Sequence, residues 1–193
     1  MNNPLVVLSE ERWIRAARQG DVDAFNRLVE AYQDIAFAVA LRTTGHPDDA
    51  ADATQEAFLD AFRSISRFRG GSFRAWLVRI VVNACYDLHR SARRRPALSL
   101  DGLLEASDAE PWTDGSSPDP EGVALTHETR AAIERALAAL PDEQRLAIEL
   151  VDVQGFSYEE SAEALGCAVG TIRSRLARGR ARVRDVLSME GNL

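Results

Sequence analysis

The chain contains no lysine: all 23 of its basic residues are arginine, a bias that codon usage in a GC-rich genome produces. Cysteine is almost as scarce. Cys85 and Cys167 stand far apart without CxxC spacing, which argues against a redox or metal role and leaves buried or inert thiols as the expectation. No apolar run approaches the ~20 residues of a membrane span, so no membrane insertion is expected. Residues 1–8 show no basic segment followed by a long apolar one, so no signal peptide is visible and a cytoplasmic location is expected. The three histidines (His46, His89, His127) are scattered, no nucleophile–base arrangement stands out, and no phosphate-binding glycine loop follows a strand. An enzyme is therefore not expected, nor a cofactor or metal.

What is present is helix, with charge unevenly spread. The net charge of −7 speaks at first against nucleic acid, but the distribution matters more. Between Pro96 and Thr129 there are eight acids and no arginine. On one side stand Arg90, Arg93, Arg94 and Arg95, and on the other six arginines without an acid between Arg173 and Arg184. An acidic insert thus joins two parts with basic surfaces.

The clearest motif is a pair of short helices around Gly166. Ser157 is placed to cap the first, and Glu160, three residues on, completes a capping box. Gly166 supplies the turn because it accepts backbone angles that other residues resist. The second helix, from about residue 169, carries an inward stripe of Ile172, Leu176, Val183 and Val186 or Leu187. Arg173, Ser174, Ala177, Arg178 and Ala181 fall on the opposite side. That is the form of a helix-turn-helix whose second helix enters a major groove. A helical hairpin with a solvated arginine face is the plain alternative. The one-sign block favours DNA, since it suits phosphate and arginine reads guanine edges.

The rest of the chain reads as helices and one linker. Residues 8–19 form an amphipathic helix with Trp13, Ile14 and Ala17 on its apolar side, ended by Gly20. Residues 22–43 sustain a long stripe through Phe25, Leu28, Tyr32, Ala36 and Val39. A third helix over 49–65 turns Phe58, Phe62 and Ile65 inward. It lines up Asp52, Glu56 and Asp60 on one face, a like-charge arrangement that costs a few tenths of a kcal/mol per pair. A basic partner surface would compensate; a solvated acidic face is the alternative. Phe68, Arg69 and Phe73 lie in a glycine loop, where aromatics beside arginine suit stacking on unpaired bases or serve as anchors packed on the core. A fourth helix over 74–94 packs Trp76, Leu77, Ile80 and Val81 inward. Arg79, Asn83, Asp87, Arg90 and Arg94 form a polar stripe fit for base edges and phosphates, or for solvent. Pro96 ends it. The stretch that follows, rich in Pro, Gly, Ser and acids, is linker chemistry. About 28 residues at ~3.3 Å each reach roughly 90 Å, so the halves need not touch. Helices over 126–139, with Ile133, Ala136, Leu137 and Leu140 inward, and over 142–153 lead into the helix-turn-helix.

With both halves in view, the sequence resembles bacterial sigma factors of the extracytoplasmic-function group. The stretch from Asp48 to Phe58 is similar to the family's acidic segment for the polymerase clamp helices. That from Phe73 to Asn83 is similar to its promoter-melting segment. Leu140-Pro141-Asp142-Glu143-Gln144-Arg145 and Gly155 to Glu160 resemble the entry to its C-terminal domain, and Val169 to Leu176 its recognition helix. The resemblance implies an all-α chain with a region 2-like bundle at 8–95, an acidic linker at 96–125 and a region 4-like helix-turn-helix domain at 126–188. It implies binding to core RNA polymerase (clamp helices and flap) through Asp52, Gln55 and Glu56. It also implies capture of the melted −10 element by Phe68, Arg69, Phe73, Arg79, Asn83 and Arg90, and −35 reading by Arg173, Ser174 and Arg178. Promoter DNA and an anti-sigma factor join the expected partners. Ala177 departs from the family, which often has a bulky or ring side chain there, and Gly179 is expected to loosen the helix further on. The competing readings are a stand-alone helix-turn-helix regulator, which needs neither the acidic face nor a melting segment, and a helical adaptor, which does not need the arginine block.

Overall fold

A computed structural model of the chain describes residues 4–94 and 120–189, and every regular element among them is helical. Most of the stretch read as linker, including Leu98, Leu100, Leu103 and Leu104, lies outside the described residues. The first half comprises α1 (Pro4–Ala17), α2 (Val22–Thr44), α3 (Pro47–Ser64), a 3-10 turn (Ile65–Arg67) and α4 (Phe73–Arg94). Local chemistry sets these limits. The Asp21 carboxylate accepts from the Ala24 amide at 3.0 Å and starts α2. Gly45 ends it in the left-handed conformation, φ 76°. Pro47 opens α3, where its missing N–H costs nothing.

Alanine, rather than phenylalanine, forms the buried stripe of α3. Ala50, Ala53, Ala57 and Ala61 are fully buried at helical spacing, and Ile65 follows them inward. Phe62, expected inside, is 39% exposed and rests edge-on against Phe25 at 5.0 Å. Small side chains let α3 lie close between α2 and α4, and the larger ring is left at the margin.

The second half comprises α5 (Pro120–Ala138), α6 (Asp142–Ile148), a π-turn (Glu149–Val153), α7 (Tyr158–Leu165) and α8 (Val169–Met189). α5 starts ahead of the expected residue 126. Ala136, Leu137 and Leu140 are buried as expected, but Ile133 is 38% exposed and Ala132 is buried in its stead. The capping box is formed: Ser157 Oγ accepts from the Glu160 amide at 3.1 Å, and Glu160 Oε2 accepts from the Ser157 amide at 2.9 Å. Gly166 makes the turn at φ 62°. Gly179 does not loosen α8, which runs unbroken past it. It is buried against α6, where an added Cβ would come within 2.9 Å of Ile148 Cδ1 and 3.4 Å of Gln144 Cβ. The glycine is there for close helix approach.

The two halves touch, although the linker's reach did not require it. α4 has a second buried stripe (Ala75, Val78, Val82, Cys85), which joins α2, α3 and Leu146, Leu150, Phe156 and Ala164 of the second half in one core. Burial of Leu146, Leu150 and Phe156 stabilises by about 1.5–3 kcal/mol each over an exposed side chain. Ion pairs rim this seam. Arg42 Nε donates to Glu149 at 3.1 Å and Arg42 Nη1 to Glu134 at 2.7 Å. Glu149, 3% exposed, also accepts from Gln154 Nε2 at 2.9 Å. Cys85 lies inside the seam, and burial pushes its thiol up to about 11. That is the inert thiol the sequence implied.

Candidate nucleic-acid interface

The arginine block of α8 divides into two sets. Arg175 pairs with Glu143 at 2.8 Å, Arg180 grips Asp152 with two nitrogens, and Arg182 donates to Gln144 at 3.1 Å. These hold α8 to its own unit. Arg173, Ser174 and Arg178 lie together on the exposed face opposite the buried Ile172 and Leu176. Arg178 folds back so that Nε donates to the Ser174 carbonyl at 3.1 Å and Nη2 to Ser174 Oγ at 3.2 Å. The guanidinium of Arg173 stands 6.0 Å from the Tyr158 ring centre. Ala177, also exposed, leaves open space between these donors. A surface of two arginines and a hydroxyl on the exposed side of a helix has donors suited to guanine acceptors and phosphates.

A second surface runs along α4. Arg79, Asn83, Asp87 and Arg90 are all exposed on one side, as their spacing predicts, and Arg90 forms an ion pair with Asp87 at 3.1 Å. At the helix start the loop residues separate. Arg69 is exposed, whereas Phe68 and Phe73 are 5% and 2% exposed. Their rings pack edge-on at 5.6 Å, and both lie within 5.5 Å of the Trp76 ring. Neither ring has a free face here: they anchor the loop, the second of the two roles open to them. The anchored loop borders a cavity of about 590 Å³, which α1 also lines through Glu10 and Arg15 and the turn after it through Arg18. Tyr32 lies on it too, its hydroxyl pushed up by burial and by the Glu10 carboxylate.

A side chain from the helix-turn-helix unit also lines this cavity. Glu160 takes Arg74 Nε at 2.9 Å, Arg74 Nη2 at 2.6 Å and Ser72 Oγ at 2.7 Å. The Arg74 guanidinium also lies 4.2 Å above the Phe156 ring and donates to the Gly155 carbonyl at 3.1 Å. The arginine fork pulls the Glu160 carboxyl down to about 2 against burial, which acts the other way.

The third surface is the acidic face of α3. Asp52, Gln55 and Glu56 are exposed and border a groove of about 610 Å³ with Leu59, Asp87 and Leu88. The line of acids is partly compensated from within the helix, because Arg63 reaches Glu56 at 3.3 Å and Asp60 at 3.0 Å. Both pairs are well exposed and add little stability.

Residues 28–95 match the sigma-70 region 2 family, and residues 130–183 match sigma-70 region 4. The ECF RNA polymerase sigma-E factor of Escherichia coli (strain K12) is 36% identical over 178 residues, which cover 90% of this chain and 91% of that protein. The chain belongs to the extracytoplasmic-function sigma factors of RNA polymerase. A sigma factor of this group directs transcription initiation and is not an enzyme. The ECF RNA polymerase sigma factor SigE of Mycolicibacterium smegmatis is 38% identical over 88% of this chain, which spans 64% of that relative's length. Among solved structures, RpoE in complex with the anti-sigma factor NepR from Bartonella quintana matches with TM-score 0.68 and 31% identity, over 86% of this chain and 98% of that one. CnrH in complex with the cytosolic domain of CnrY matches with TM-score 0.65 and 27% identity, over 94% and 98%.

Within this sigma factor, sequence reasoning missed the residues that join the halves. Glu160 was legible as a capping residue, but nothing in one sequence pairs it with Arg74, 86 positions away. Arg42, Glu134 and Glu149 likewise sit in unremarkable helical stretches. No helix among the described residues is long and apolar enough to cross a membrane. None of their His, Cys, Asp and Glu side chains cluster in threes fit to hold a metal.

Proposed function

We propose that this sigma factor reads both promoter elements, in the cytoplasm where polymerase and DNA meet. Arg173, Ser174 and Arg178 contact the −35 duplex, while Arg69, Arg79, Asn83 and Arg90 line the path of the melted −10 strand. In that division of labour Phe68 and Phe73 hold the loop in shape. Asp52, Gln55 and Glu56 dock on core polymerase at the clamp helices, and the helix-turn-helix unit rests on the flap. The domains are taken as 8–95 and 126–188 with 96–125 between them. The observation that carries this reading is the joint exposure of all three predicted surfaces on separate elements: α8, α4 and α3.

Geometry adds a requirement. A compact chain of this length has a radius of gyration of about 16 Å, so about 40 Å across. Elements centred about 25 base pairs apart are separated by roughly 85 Å of B-form duplex at 3.4 Å per base pair. The closed molecule cannot bridge them, so the halves part on polymerase. An anti-sigma factor is the expected antagonist, since one accompanies the Bartonella quintana relative.

Run-off transcription with purified core polymerase from the source organism tests the reading. Discrete transcripts that depend on the added chain are expected. Asp52→Ala with Glu56→Ala is expected to lower core binding in a chain that still folds, because both side chains are exposed. A folded double variant that binds core normally removes that assignment. Promoter binding by the chain alone, without polymerase, would favour the stand-alone regulator.

A further inference from the structure

The Arg74–Ser72 pair is an anion seat built at the mouth of the −10 loop cavity, and its present occupant belongs to the other half of the chain. Two guanidinium nitrogens and one hydroxyl converge on a single carboxylate within 2.9 Å. The guanidinium fork matches carboxylate and phosphate oxygens by the same geometry. The seat lies in the first half, on the cavity lined by Arg69, Gly70 and Gly71. Glu160, by contrast, sits on α7, beside the recognition helix.

Charge around the cavity points the same way. Its wall carries Arg15, Arg18, Arg69 and Arg74 against Glu10, Glu11 and Glu160. When the halves part, Glu160 leaves and four arginines face two acids. Phe156 leaves with it, which uncovers the flat face of Arg74. What remains is a positive site with a guanidinium fork, at the end of the α4 stripe assigned to single-stranded DNA.

We propose that Arg74 and Ser72 seat a backbone phosphate of the melted −10 strand, and that in the closed chain Glu160 occupies this seat in its place. Docking of the helix-turn-helix unit and binding of the strand are then mutually exclusive at one pair of side chains. The inference rests on the reading of the loop cavity as the −10 site. It adds a phosphate contact outside the residues named for that site and a competitor within the same chain.

The experiment exploits the fact that two substitutions break the same bond yet must act in opposite directions. The full-length chain is titrated against a short fluorescein-labelled oligothymidylate, followed by anisotropy at several salt concentrations. A phosphate seat ignores base identity, so no promoter sequence is needed. Glu160→Gln removes the competitor and keeps an amide oxygen for the Ser157 amide; about tenfold tighter binding is expected, the worth of one charge-assisted hydrogen-bond set. Arg74→Gln frees the cavity equally but removes the fork. Binding weaker than that of the unsubstituted chain is expected, with a slope of log affinity on log salt lower by about 0.7 for one lost phosphate contact on a single strand. Arg74→Gln binding as tightly as Glu160→Gln would make Arg74 a clamp between halves and overturn the seat. Equal affinities for all three chains would overturn both seat and competition. If Arg74→Gln fails to fold, adding Ser72→Ala to Glu160→Gln must weaken binding relative to Glu160→Gln alone; no change there refutes the proposal. Failure of the −10 reading itself shows separately, as absence of chain-dependent transcripts with core polymerase.

Discussion

The seam between the halves is best probed at Arg42. Replacing it with methionine keeps the length of the side chain and removes its charge. Glu149, 3% exposed in the unsubstituted chain, then keeps Gln154 Nε2 as its remaining side-chain donor while the seam stays closed. Breaking a buried ion pair from one side costs about 3–5 kcal/mol. Arg42 is itself 22% exposed and Gln154 is retained, so the expected loss is smaller, about 2–3 kcal/mol. For a chain of this size that lowers the melting temperature by about 4–12 °C. Differential scanning calorimetry reads the loss, and small-angle scattering reads the accompanying rise in radius of gyration. The cause is tested by adding Glu149→Leu, because an apolar pair in place of a buried ionic one is often neutral. The double variant should recover most of the lost stability and the compact radius. A single variant that melts with the parent would refute the reasoning, as would a double variant that loses the sum of both changes.

Acid should open the same seam at its other rim. Glu160 is held at about 2 against an ordinary 4.5, so its contribution is full above the ordinary value and drains as pH falls toward 2. Scattering is expected to show the compact form at about pH 6 and an expanded one near pH 2–3, with Glu160→Gln expanded throughout. Gly179→Val places branched carbon where Ile148 Cδ1 and Gln144 Cβ already press, and should cost about 1–3 kcal/mol in urea denaturation. Arg173→Ala should weaken −35 discrimination by about 1–3 kcal/mol in holoenzyme binding while leaving the melting temperature unchanged, since the side chain is exposed. Unaltered promoter choice would remove Arg173 from the reading surface.

Element positions were legible because periodicity and caps agree locally: Asp21, Gly45, Ser157 and Gly166 each stand where a helix starts or stops. Which side of a helix is deepest was less so. Apolar size draws attention to Phe58 and Phe62 in α3, yet close approach of α2 and α4 selects Ala53 and Ala57 for the interior. On α4, Val78, Val82 and Cys85 form a second stripe that packs on α2 and α3 as well as on the second half, so its spacing did not set the seam apart from the bundle core. A linker's contour length bounds separation from above and says nothing about attraction, so it left contact between the halves open. The three exposed surfaces were visible in sequence because exposed residues need no long-range pairing to be placed. Arg74, Arg42 and Glu149 matter through neighbours far along the chain, and spacing carries no trace of them.

The shared core has a kinetic side as well. Both of its walls belong to one covalent chain, so their meeting is unimolecular and dilution does not reverse it. A covalent connection sets an effective concentration that any separate competitor must exceed, which favours one that contacts both halves over one that contacts a single half. Ligands that touch one half alone, single-stranded DNA among them, would be turned away by occupancy rather than by lack of complementarity.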